Sequence, residues 1–318
     1  MFGSNAHYGH RSILTQYAGV PEPKPIPGLV QHGWNYDLGA ILDDVRLPAP
    51  EPFYLWSERN LSACKRAGLD HVIAIGAPFL YLPALEQPVE TVPRSLLVMP
   101  MHGWERQQLD HDFDLYAKLL SDLRPEFSRI TVCLYWLEHA QARYRRPFEE
   151  GGFSVVTVGQ RDKNPRFLYD LRRLLLEHEY VCSNRAQTGG FYALHLGRKF
   201  FLFGPPVGVE AKVDRTGMLF DAWQRREYPQ LAWQGFKDVA YRDVGADELG
   251  VPFVREPEAL RETFLWNPHQ AAAHEAKRRA NGRRIGERRR RATRERWRTR
   301  LGWIPLVGRV FGDEDERS

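Results

Sequence analysis

Residues 180–203 read YVCSNRAQTGGFYALHLGRKFFLF. Tyr180–Ser183 is a short, nearly continuous apolar strand. A polar turn follows, Thr188–Leu196 has helical character, Gly197 stops it, and Lys199–Phe203 is a second strand. Strand, turn, helix and strand without hydrophobic/polar alternation is the pattern of a parallel sheet buried on both faces. The same pattern runs upstream. Ser95–Met99, Ile130–Leu134 and Phe153–Val158 read as strands. Phe113–Leu123, about 139–145, and the amphipathic Arg166–Glu177 read as helices. Residues 94–266 are therefore predicted to form one Rossmann-like lobe.

A shorter version precedes it. Pro21, Pro23, Pro25 and Pro27 force an extended segment. Leu29–Gln31 and Phe53–Trp56 read as strands, Ser57–Ala67 as a helix with Ser57 at its N-cap and Gly68 at its stop, and His71–Ile75 as a third strand. This gives a small lobe over residues 1–82, joined to the large one by the Pro-bearing stretch 83–93. The fold class expected is α/β with two Rossmann-like lobes and a short N-terminal lobe.

Residues 267–318 differ. Residues 271–310 carry 14 Lys and Arg against three Asp and Glu, within a chain of formal net charge +5. The body is mildly acidic, so the basic balance belongs to a tail of high helix propensity. Basic residues beside Trp297, Trp303, Ile304 and Leu306 suit an anionic bilayer surface, and 277–307 is the stretch expected to meet it. A nucleic-acid partner would draw on the same charge, but no recognised nucleic-acid motif accompanies it. No apolar run reaches 18 residues, and the first residues carry no basic-then-apolar leader, so a cytoplasmic protein peripheral to the inner membrane is expected. Cys64, Cys133 and Cys182 match no zinc spacing, and the last two read as core thiols.

Candidate chemistry gathers at three places. At the Thr188 helix start, unpaired amides and the positive helix end can hold an anion, Gly189 and Gly190 can let it approach the backbone, and Ser183, Asn184 and Thr188 can add polar side chains. Capping and helix–sheet packing explain the same residues, and the two readings are compatible. At the end of the 95–99 strand, His102 can donate to a phosphate or sugar oxygen and Glu105 can accept from a sugar hydroxyl. After the 29–31 strand, His32 or Asp37 can serve as general base, while Trp34 and Tyr36 can stack on a sugar ring.

The order of motifs adds to this. His32-Gly33-Trp34 after a short strand, Trp56-Ser57-Glu58-Arg59-Asn60, Ile75-Gly76-Ala77-Pro78-Phe79 and the Ala193-Leu-His-Leu-Gly197-Arg-Lys ending resemble GT-B-type capsule and lipopolysaccharide biosynthesis proteins over about residues 28–205. The resemblance implies two lobes facing a cleft, and a nucleotide-sugar donor whose phosphates meet Ser183, Thr188 and Gly189. It implies cleft roles for His32 and His102, and a glycan or lipid-linked glycan acceptor. Such a glycosyltransferase works without a bound metal, and no cofactor beyond the nucleotide-sugar substrate is expected. A polyol-phosphate transferase of teichoic-acid type and a non-catalytic polysaccharide-assembly protein are the alternatives.

Overall fold

The structure is a computed structural model and describes residues 3–21, 23–36, 51–103, 109–110, 112–209, 215–236 and 238–267. Both sheets lie in one compact unit that ends at Leu260. In the small lobe, α1 (His10–Tyr17) precedes β1 (Leu29–Val30), β2 (Phe53–Leu55) and β3 (Val72–Ala74). The strands pair in parallel in that order, with Leu29 opposite Phe53 and Phe53 opposite Val72. α2 (Glu58–Arg66) covers one face, setting Leu61 and Cys64 against Leu29, Phe53, Leu55, Val72 and Ala74. Ser57 occupies the N-cap position, yet its hydroxyl makes no capping bond.

The large lobe is built on β4 (Val92–Val98), β6 (Arg129–Cys133), β7 (Ser154–Val156), β8 (His178–Ser183) and β9 (Lys199–Leu202). All are parallel, in the order β7-β6-β4-β8-β9. Two-residue β5 (Leu109–Asp110) and β10 (Gly208–Val209) pair antiparallel beside it. The connections carry α3 (Phe113–Asp122), α4 (Trp136–His139), α5 (Ala142–Glu150), α6 (Phe167–Leu176) and α7 (Thr188–His195); α8 (Arg215–Glu227) and α9 (Arg242–Leu249) follow. Leu96, Val98, Val132, Tyr180 and Cys182 sit in one core with Phe113, Tyr116, Leu120 and Phe148 from the helices. That burial explains why the strands lack alternation. The expected two-lobed parallel α/β architecture is thus what the chain adopts.

The strand order fixes the functional geography. The chain steps outward from β4 to β6 to β7, returns across the sheet, and steps the other way through β8 and β9. The direction reverses between β4 and β8. A crevice at the carboxyl ends of strands opens at such a switch point, and open α/β sheets bind ligands there.

The small lobe is finished by residues from the far end of the unit. The Ala77 N–H donates to the Leu249 carbonyl (2.8 Å) and the Arg255 N–H to the Tyr81 hydroxyl (3.0 Å). Gly250 has φ +74°, and a Cβ there would lie 1.8 Å from the Trp56 carbonyl oxygen, so the close approach requires glycine. Gly76-Ala77-Pro78 is one half of this clasp. Among the described residues no helix is long and apolar enough to cross a membrane.

Candidate active site at the sheet switch point

β4 runs into Met99–Gly103 and β8 into Asn184–Gln187, so both loops leave the sheet at the switch point. Asn184 ties them together. Its Oδ1 accepts from the Met101 N–H (2.8 Å), and its Nδ2 donates to the Pro205 carbonyl (3.0 Å). Ser183 is fully buried, and its Oγ accepts from Gln187 Nε2 (2.7 Å) and the Arg185 N–H (3.3 Å). Gln187 Nε2 also reaches the Met99 carbonyl (2.7 Å). Arg185 turns away from the site toward Asp221 (3.1 Å).

These contacts bear on two expectations. Asn184 bridges the two loops and Ser183 Oγ accepts two hydrogen bonds inside its own turn, so both side chains shape the turn. Packing accounts for both glycines: a Cβ on Gly189 would meet the Met99 methyl at 2.3 Å, and one on Gly190 the Phe200 ring at 2.5 Å. What the helix start does leave unbonded is its backbone. α7 begins at Thr188, and the N–H groups of Thr188 and Gly189 donate to nothing among the described residues. Thr188 is partly exposed, and its Oγ1 accepts the Trp34 N–H at 2.9 Å, so its hydroxyl proton is available to a ligand.

The small lobe reaches this spot through Gln31–Tyr36. A Cβ on Gly33 would lie 3.1 Å from Thr188 Oγ1, which brings His32, Gly33 and Trp34 to the same helix end. Trp34 is buried. Its ring centroid lies 4.6 Å from Phe191 and 5.9 Å from Trp223, and its Nε1 donates to Glu248 (2.7 Å). The stacking surface expected of Trp34 is therefore taken by the protein's own aromatics. Tyr36 is partly exposed, edge-on to Phe220 at 4.5 Å. Asp37 and Glu105, both expected at the site, lie outside the described residues, as does the basic stretch 277–307.

His32 sits 5.2 Å from His7, ring centre to ring centre. Burial, then the charges of His7 and Arg161, push its pKa down to about 4. It is neutral at neutral pH and can take a proton, with the basicity of a carboxylate rather than of an ordinary imidazole. His102 is partly exposed; its ring stacks on Tyr135 at 4.2 Å and its Nδ1 meets the Gly103 carbonyl at 2.6 Å. Burial raises the Cys133 thiol to about 12 and the Cys64 thiol to about 11, which removes both as nucleophiles at neutral pH.

Two glutamates were missed in the sequence. Glu138, in the turn after β6, is buried with Oε1 accepting the Gly103 N–H at 3.2 Å. Burial raises its pKa. An acid just past the end of a buried strand was the available signal. Glu248 on α9 accepts from Trp34 Nε1, from Arg59 Nη2 (2.6 Å) and Nε (3.0 Å), and from the Tyr228 hydroxyl (2.7 Å). Nothing local in the sequence marks it, because its partners come from positions 34, 59 and 228. Asp-x-Asp spacing occurs at 110–112, 112–114 and 313–315; the last lies outside the described residues, and Asp112, shared by the first two, caps α3 by accepting the Leu115 N–H at 2.8 Å. No group of three or more His, Cys, Asp or Glu is placed to hold a metal among the described residues.

No protein-family model matches the chain, and no curated protein does. Solved structures give distant likenesses. A UDP-GlcNAc 2-epimerase from Neisseria meningitidis bound to UDP-GlcNAc superposes with TM-score 0.33 at 12% identity over 83% of each chain. A mutant of S. aureus TarM in complex with Fondaparinux, alpha-GlcNAc-glycerol and UDP gives 0.31 at 11% identity, over 70% of this chain and 42% of that one. A mutant O-GlcNAc transferase from Thermobaculum terrenum gives 0.28 at 18% identity, over 71% and 44%. Likenesses this remote say nothing about activity.

Proposed function

We propose that the chain is a metal-independent glycosyltransferase that moves a sugar from a nucleotide-sugar donor to a bacterial surface polysaccharide, of capsule or lipopolysaccharide type. One observation carries this reading. The switch point between β4 and β8 holds the open amides of Thr188 and Gly189 at a helix start, His102 on one side and the His32–Gly33–Trp34 turn of the other lobe above. Helix-start amides suit a diphosphate, and they stabilise it most as it leaves with the bond's electrons. His102 would meet a phosphate or sugar oxygen. His32, neutral and at the lobe junction, would receive the acceptor's hydroxyl proton, with Asp37 the other candidate. Tyr36 is the remaining aromatic for an acceptor ring. The basic stretch 277–307 would hold the enzyme at an anionic inner-membrane surface, near a lipid-linked acceptor.

The test is calorimetry of the full chain against UDP, GDP, CDP and CMP. One nucleoside diphosphate should bind clearly better than the others, and Thr188→Pro, which removes one open amide at the first helical position, should weaken it about tenfold or more while unfolding cooperatively. Absence of binding by every nucleotide would sink the reading.

A further inference from the structure

We propose that Gly3–Gly9 is an acid-released strap between the lobes: near neutral pH it ties the small lobe to the loop after β7, and proton uptake by a histidine cluster at its crossing point lets it go. The strap is pinned on both sides. Asn5 lies along the edge of β1, its Nδ2 donating to the Gly28 carbonyl (2.8 Å) and its Oδ1 accepting the Val30 N–H (2.9 Å). Two residues further on, the chain meets the large lobe. His7 Nε2 lies 3.2 Å from Asp162, the Tyr8 N–H donates to the Arg161 carbonyl (2.9 Å), and the Tyr8 ring stands edge-on to Phe167 at 5.0 Å. Gly9 has φ +78°, and a Cβ there would sit 2.6 Å from the Pro165 carbonyl oxygen, so the strap runs directly against this loop. Its operation does not depend on what the crevice binds.

Three histidines meet where the strap crosses. The rings of His7 and His32 are 5.2 Å apart, and the His10 ring lies 5.5 Å from Tyr8 and 6.5 Å from Trp56. His10 is fully buried, and neither of its ring nitrogens has a hydrogen-bond partner among the described residues. Such a group is tolerated inside a fold only while uncharged. As the first residue of α1 it also stands at the positive end of the helix dipole, which opposes a cation there. Burial, then the charges of His32 and His7, holds His10 well below the ordinary histidine range, and His32 is held down to about 4. Among the described residues the other titratable groups facing the cluster are the Tyr8 phenol, Arg161 and Asp162. Arg161 adds a further cation 6.0 Å from the Tyr8 ring, and Asp162 is shared between His7 and Arg161 (3.6 Å). With the strap released, each imidazole regains water and titrates near about 6.5. The released state therefore takes up protons first as pH falls. Each buried histidine shifts the balance toward release about tenfold per pH unit below that point, and His10 with His32 about a hundredfold. Asn5 has no titrating group, so the β1 side of the strap stays in place while the large-lobe side leaves, and the His32 turn at the crevice loses its neighbour His7.

The experiment is hydrogen exchange of the full-length protein, read by mass spectrometry at pH 7 and pH 5 and corrected for the intrinsic exchange rate. Opening of peptides spanning residues 5–17 should rise about a hundredfold or more in native protein, about twentyfold in His10→Leu and less than about threefold in His10→Leu/His32→Gln. At pH 5 the strands at 95–98 and 180–183 should remain protected about a hundredfold more strongly than the strap, because the opening is local. Asp162→Asn removes the carboxylate that shelters a charged His7, at a partly exposed position, so this variant should open its strap several-fold more than native protein at pH 6. A native rise below about fivefold, or a rise undiminished in the double variant, overturns the proposal. So does equal protection of strap and core strands at pH 5, which would make the transition global. Should the histidine variants not fold, Asp162→Asn decides: opening equal to that of native protein at pH 6 overturns the proposal.

Discussion

Two buried glutamates meet opposite treatment in this fold. Glu248, between the lobes, is surrounded by Trp34 Nε1, the Arg59 guanidinium and the Tyr228 hydroxyl. Burial, then the Glu248 carboxylate, keeps the Tyr228 phenol protonated far above its usual range, so it remains a donor. Glu138, after β6, accepts the Gly103 N–H on Oε1, while its buried Oε2 has no side-chain donor among the described residues. A saturated buried acid is a structural joint, because each donor around it would be orphaned without it. A half-satisfied one costs about 1–3 kcal/mol of stability that a fold has no structural reason to retain. The number of donors around a buried charge thus separates a joint that holds the lobes together from one that does not.

The largest test of that contrast is Glu248→Ala. It strands two buried donors and leaves Arg59 with the half-exposed Glu227, the Tyr228 hydroxyl and the Trp223 ring, so it should cost about 3–5 kcal/mol. Urea unfolding would measure it, and a cost under about 1 kcal/mol would break the comparison. Acidification sharpens it next, through a group the fold keeps uncharged. His32 is held near 4 in the folded state against about 6.5 unfolded, so the unfolded chain binds the proton first as pH falls. Its contribution to stability is therefore present above about pH 6.5 and lost as pH drops toward 4. About 2 kcal/mol should disappear between pH 7 and 5, and His32→Gln should remove that part of the slope in a series of thermal melts.

Thr188→Val deletes the acceptor of the Trp34 N–H and should cost about 1 kcal/mol by the same denaturant assay. Smallest of all is Glu138→Gln, which keeps the shape and the Gly103 bond while removing an unsatisfied charge. Its stability should change by less than about 0.5 kcal/mol, or rise. A loss comparable with Glu248→Ala would make the two glutamates alike after all.

Much of the fold was legible because it is local. The strands at 95–99, 130–134 and 180–183 announce themselves by unbroken apolar runs, and α7 by Thr188 at its start and Gly197 after its end. The order β7-β6-β4-β8-β9 was not legible, since no residue within a strand states its neighbour. The site divides in the same way. Thr188 and His102 stand out in the sequence because a helix start and a strand end are local features. Ser183, Asn184, Gly189 and Gly190 have packing and hydrogen-bonding duties that a sequence does not show, because Gln187, Met101, Met99 and Phe200 come from elsewhere along the chain or across the turn. Trp34 was misread for the same reason: its neighbours Phe191 and Trp223 lie more than 150 positions away in the chain.

The clasp at Leu249–Arg255 has a bearing on how the chain is made. The small lobe leaves the ribosome first, but the backbone partners of Ala77 and Tyr81, and the glycine that fits against Trp56, emerge only after the whole five-stranded sheet has been synthesised. At ordinary translation rates of about 5–20 residues per second, its three-strand sheet stands unsealed for on the order of ten seconds or more. The amino-terminal lobe is thus the last part to be completed, and loss of the segment around Gly250 would be felt first at the opposite end of the chain.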